Sequence, residues 1–147
     1  MQVNYKDVTI DEGDYLALLD FARMVQYRND EYVTVDEAVA KVAGGAWCTS
    51  LDNVNFLDSN CRVTAVEIWP WHTRPLLFDC LFGMDSLTEL SFKDLNLDII
   101  PDCFDRMPNL KDLCFWAMPR LQHLPPSICS LQKLESLRCK SCRQLRT

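Results

Sequence analysis

The chain has 147 residues, 48% hydrophobic and 24% charged, with a formal net charge of −6 at pH 7. That length is enough to bury one core, and no apolar run reaches the ~18 residues of a membrane-spanning helix. The acidic balance lacks the basic footprint of a nucleic-acid binder.

Residues 1–60 hold eleven acids and four bases, a net −7, whereas residues 61–147 hold ten acids and eleven bases, a net +1. The acidity therefore belongs to the first part of the chain. Met1–Thr9 is polar, contains Lys6 and Asp7, and has no charged-then-apolar signal layout. The compartment stays open between a cytoplasmic protein and an extracellular fragment of a larger one. The spacing of Tyr15, Leu18, Leu19, Ala22 and Val25 predicts a helix from about Asp14 to Arg28. Asp11, Glu12 and Asp14 stand where its dipole favours anions. A second helix is predicted over Val35–Val42: Thr34 and Glu37 form a capping box, and Gly44-Gly45 ends it. Residues 1–61 read as a helical N-terminal cap.

From residue 62 an apolar phase recurs. Val63, Val66 and Ile68 are followed by Leu87, Leu90 and Phe92, then Leu110, Leu113 and Phe115, then Leu134, Leu137 and Cys139. The starts differ by 24, 23 and 24 residues. A short parallel strand is expected at Val66–Ile68, Leu90–Phe92, Leu113–Phe115 and Leu137–Cys139, with alternate residues inward. The return half keeps its own phase at Leu81, Phe104 and Ile128. Ile100-Pro101 and Leu124-Pro125 lead into it, since proline suits a bend away from the strands. Asp102–Met107 and Ser127–Leu131 are predicted to be short helical turns. A fixed period in the twenties opening with L-x-x-L-x-L is the signature of a leucine-rich repeat solenoid, an α/β fold whose parallel sheet lines a concave face.

Residues 62–147 thus resemble the leucine-rich repeat superfamily. The best matches are LKDLCFWAMPRLQHLP at 110–125 and LESLRCKSCRQL at 134–145. They look like the L-x-x-L-x-L-x-x-C-x-x-L-x-x-L-P variant of plant intracellular immune receptors and related surface proteins. Residues 1–61 resemble, more loosely, the N-terminal cap of plant-type extracellular repeats, through Leu16–Phe21, Trp47-Cys48 and Cys61–Thr64. The ninth repeat position departs from the family. The usual asparagine is replaced by Trp71, Leu95, Met118 and Cys142, so no asparagine ladder is expected. About four repeats are counted, the last truncated at Thr147. Either more repeats follow in a parent protein or the open end closes by dimerising.

Eight cysteines and two histidines are the candidates for chemistry. Cys48 and Cys61 flank the cap, as a disulfide or as two buried thiols. Cys139 and Cys142 form a C-x-x-C, but both fall on repeat positions that explain them without zinc or redox chemistry. Cys80, Cys103 and Cys129 fall on the return segments as packing thiols. His123 near Cys129, and His72, lack an oriented partner for nucleophilic chemistry. No phosphate loop, H-E-x-x-H or G-x-S-x-G is present, so neither an enzyme, a metal nor a cofactor is expected. The seventh repeat position reads Trp69, Lys93, Trp116, Lys140, a column of alternating Trp and Lys suited to cation–π contacts. Glu67, Ser91 and Arg138 join it at the fifth position, and Glu89 and Asp112 at the third. The competing assignment packs Trp69 and Trp71 against the cap and leans Trp116 on its neighbouring strand. The basic end, Lys133 to Arg146, has five bases against one acid and reads as a solvated face or a contact for an anionic partner. The favoured expectation is a non-enzymatic module that binds a protein or peptide on its concave face. The alternative is a structural segment that forms a homodimer through its open C-terminal repeat.

Overall fold

A computed structural model describes residues 1–5, 8–17, 19, 59–68 and 84–146. The chain opens with an antiparallel hairpin of β1 (Gln2–Tyr5) and β2 (Val8–Asp11), in register from Gln2↔Asp11 to Tyr5↔Val8. The sequence pattern predicts no strand here. The signal was present as a two-residue alternation, Val3, Tyr5 and then Val8, Ile10, but four residues per strand are too few to stand out against Lys6 and Asp7. Residues 12–17 follow as a helix. Asp11 caps it, its Oδ1 accepting the N–H groups of Gly13 at 3.0 Å and Asp14 at 3.4 Å. No helical cap is evident in the described part of residues 1–61. Val35–Val42 and most of Asp14–Arg28 lie outside the described residues.

The second sheet is parallel and α/β-like. Its strands are β3 (Ala65–Ile68), β4 (Glu89–Lys93), β5 (Asp112–Trp116) and β6 (Ser136–Lys140), ordered β3-β4-β5-β6. Each expected strand is present, and the register runs through equivalent residues: Val66↔Leu90, Leu90↔Leu113 and Leu113↔Leu137. The entries to β4, β5 and β6 are each locked by one carbonyl accepting two N–H groups. Thr64 O takes those of Thr88 and Glu89, Thr88 O those of Lys111 and Asp112, and Lys111 O those of Glu135 and Ser136, all at 2.8–3.0 Å. The exit is a left-handed residue at the eighth repeat position: Asp94 (φ 55°), Ala117 (φ 53°) and Ser141 (φ 57°). The N–H of Asp94 donates to Trp116 O and that of Ala117 to Lys140 O, both at 2.8 Å. The polar side chains of Asp94 and Ser141 suit that conformation better than the methyl of Ala117.

The core lies on one side of this sheet. Val66, Leu90 and Leu113 form one buried column, and Ile68, Phe92 and Phe115 a second. Phe92 stacks on Phe115 with centroids 5.2 Å apart, and Phe104 meets Phe92 edge-on at 6.3 Å. Each fully buried ring contributes about 1.5–3 kcal/mol from area alone. Phe104 and Ile128, the return-half residues, sit in the short 3-10 turns Phe104–Arg106 and Pro126–Ser130, the first within and the second overlapping the predicted outer segments. At the ninth position Leu95 and Met118 are buried, and Cys142 Sγ lies 3.5 Å from the carbonyls of Phe115 and Lys140.

One charged group ties the N-terminal segment to this core. Asp14 is 1% exposed. Its carboxylate accepts Arg62 Nε at 2.8 Å, Arg62 Nη2 at 3.0 Å, the Val63 N–H at 2.7 Å and the Ser86 hydroxyl at 3.2 Å. Arg62 also reaches Asp85 at 2.5 Å. The hydrogen bond to Asp14, then that to Asp85, holds the guanidinium pKa well above its ordinary value. Asp14 therefore serves as a buried partner for Arg62 and the entry to β3, where the sequence suggested only a helix-dipole role.

Three predictions follow from these contacts. Asp14→Ala leaves the Val63 N–H without its acceptor and removes the buried partner of Arg62, which keeps Asp85; it should lower unfolding stability by about 1–3 kcal/mol in a urea titration. Ala117→Gly relieves a left-handed alanine worth roughly 1–2 kcal/mol but loosens the unfolded chain by roughly 0.4–1 kcal/mol. Its midpoint should therefore rise slightly, and a fall would show that the strand exit is not left-handed. The third concerns Asp102. The Ser127 hydroxyl, then the Ser127 N–H at 2.7 Å, holds its carboxyl below the ordinary 3.8. A depressed carboxyl stabilises the fold fully above that ordinary value and ceases to do so as pH falls through its own pKa. Ser127→Ala should move the Asp102 midpoint upward in a carbon-13 NMR titration.

Candidate functional site

The face of the sheet opposite the core carries the third, fifth and seventh repeat positions. Strand alternation alone sends them there once the apolar fourth and sixth positions turn inward. Register then aligns them in rows. Glu89 lies beside Asp112, Glu67 is in line with Ser91, Cys114 and Arg138, and Lys93 is in line with Trp116 and Lys140. The structure thus brings together Glu67, Glu89, Lys93, Asp112, Trp116, Arg138 and Lys140. Trp69, the first member of the seventh-position column, lies outside the described residues, as does Trp71.

Several of these side chains are engaged with one another. Lys93 Nζ pairs with Glu67 and stands 5.8 Å from the Trp116 ring centroid, a cation–π distance. Arg138 Nη2 is 3.8 Å from Asp112 Oδ1. Trp116 leaves 45% of its surface exposed, so on this face it is a platform and not a core ring. A shallow depression of about 400 Å³ opens over Glu67, Lys93, Trp116, Arg138 and Lys140, lined also by Glu89, Ser91 and Cys114. Cys114 was not singled out from the sequence. In a chain rich in cysteine its type carries no signal, and only the fifth-position register places it there.

The remaining candidates are dispersed. Cys61 is half-buried with a left-handed backbone, φ 63°, and carries a free thiol here. Cys48, its suggested partner, lies outside the described residues, as do Cys80 and His72. Cys139 and Cys142 sit on and after β6. Partial burial, then the neighbouring Cys142 and Cys114 thiols, raises the Cys139 pKa and disfavours the thiolate that metal or redox chemistry requires. Among the described residues no three His, Cys, Asp or Glu side chains converge as metal ligands. His123 and Cys129 are both exposed. No helix among the described residues is long and apolar enough to cross a membrane.

The open face therefore presents an exposed aromatic ring and charged side chains on backbone held by the sheet. Comparison with protein-family models, curated proteins and solved structures finds no match to the chain.

Proposed function

We propose that the chain is a non-enzymatic recognition module of the leucine-rich repeat type, which binds a protein or peptide on the open face of its parallel sheet. The observation that carries this is the exposed Trp116, flanked by Lys93 and Lys140 in one row across three strands. Large aromatic and arginine side chains dominate binding energy at protein interfaces. Here they stand on a preordered sheet, so little ordering cost accompanies binding. The 24- and 23-residue spacing of equivalent, hydrogen-bonded strands supports the solenoid reading.

A second reading is a structural segment that self-associates. One observation favours it: Leu137, on the core side of β6, is 43% exposed, and Cys139 beside it is also uncovered. A second copy laid against β6 would cover both.

The two readings separate experimentally. Trp116→Ala should weaken partner binding about tenfold or more while the circular-dichroism spectrum and urea midpoint stay close to wild type. Loss of the folded state would make Trp116 a structural residue and remove the main support for recognition. Sedimentation of wild type and Leu137→Glu tests the second reading: a dimer abolished by the substitution would favour self-association.

A further inference from the structure

Resting on that recognition reading, we propose that the open face is selective for a peptide presenting a carboxylate beside an apolar or aromatic side chain. The carboxylate is held by Arg138 and Lys140, and its neighbour lies on Trp116.

The acids of the face, Glu67, Glu89 and Asp112, lie on β3–β5, whereas β6 presents only the bases Arg138 and Lys140. Lys93 is taken by Glu67. Lys140 is exposed and has no acidic partner among the described residues. Arg138 is half-exposed and reaches Asp112 only at 3.8 Å, beyond hydrogen-bond length. The two cations therefore stand side by side with spare donors: a guanidinium fork and an ammonium with three rotatable hydrogens.

Their geometry fits a small anion next to a ring. Arg138 and Lys140 are two residues apart on one strand and so share its open side, about 7 Å apart along it. Trp116 is Lys140's register partner on β5, about 4.8 Å away across the sheet. A carboxylate between the two cations would put the side chain next to it over the exposed half of the indole. The local balance decides the valence of the anion. Arg138 and Lys140 against Asp112 leave one net positive charge, matched by one carboxylate. A doubly charged phosphate would exceed it and meet repulsion from Asp112. Glu67 and Glu89, at the other side of the depression, orient the ligand by repelling a carboxylate placed in reverse.

The test uses the intact chain and a phage-displayed random peptide library. Enriched peptides are synthesised with each Asp or Glu as acid or amide. Their affinities are measured by fluorescence anisotropy against wild type, Trp116→Ala, the double variant Arg138→Gln/Lys140→Gln, and Lys140→Glu. Circular dichroism checks the fold of each variant. The expected result is enrichment of an acidic residue beside an apolar or aromatic one. The amide peptide and the double variant should each lose about tenfold or more in affinity, and much less than the product when combined. Lys140→Glu should prefer the same peptide with Lys in place of its acid. Peptides that need Trp116 but bind equally as acid and amide would overturn the carboxylate selectivity and leave the recognition reading standing. Peptides indifferent to Trp116, Arg138 and Lys140 alike, or no enriched peptide at all, would overturn both.

Discussion

The structure depends on one constraint: successive parallel strands must start at the same level. The carbonyl before each strand meets it by accepting the two N–H groups that open the next, at Thr64, Thr88 and Lys111 in turn. With the entry fixed, Val66, Leu90 and Leu113 stack in one buried column and Ile68, Phe92 and Phe115 in another. A slip of one residue would turn these side chains outward and bring the charged row into the core. The stacked Phe92–Phe115 pair, with Phe104 against its edge, fills the space between the sheet and the return segments.

Polar side chains carry the same constraint where the backbone does not. Asp102 accepts the Ser127 N–H, and the Ser127 hydroxyl accepts the Phe104 N–H at 2.9 Å, so neighbouring 3-10 turns are tied across the outer side. Asn109 donates to Asp85 O and its own amide oxygen accepts Lys133 Nζ. These partners are 23–25 residues apart, and each tie belongs to neighbouring strand-and-return units. Asp14 performs the corresponding task at the first strand. It substitutes a carboxylate for the neighbouring turn and brings Arg62, Val63 and Ser86 to a common point. A buried carboxylate is costly unless it is paired and hydrogen-bonded; here it accepts two N–H groups of Arg62 and that of Val63, while the Ser86 hydroxyl is shared with Val63 O.

The open face follows from the same arithmetic. Alternation assigns two residues of β3 and three of each later strand to it, and register sets acids toward β3–β5 and bases on β6. The face is therefore polarised, with Trp116 near the boundary. Its rigidity comes from the sheet and its polarity from charges that the core has no reason to dictate. These positions vary in residue type from strand to strand while the inward positions remain apolar.

Much of this was legible in the sequence. The period of 24, 23 and 24 residues located all four parallel strands and both outer turns, because inward packing imposes an apolar residue at each recurrence. The members of the open-face rows could be listed for the same reason. The N-terminal hairpin was not legible, since each strand offers only two alternations. Nor was the pairing of Asp14 with Arg62, 48 residues away, because a local reading gives Asp14 a sufficient role at a helix start. The sequence by itself determined which residues face inward and which outward, since periodicity is a property of the chain. The tertiary structure alone decided which outward charges neutralise one another and which are left over. That outcome rests on distances of a few ångströms between side chains on different strands, which no spacing along the chain encodes.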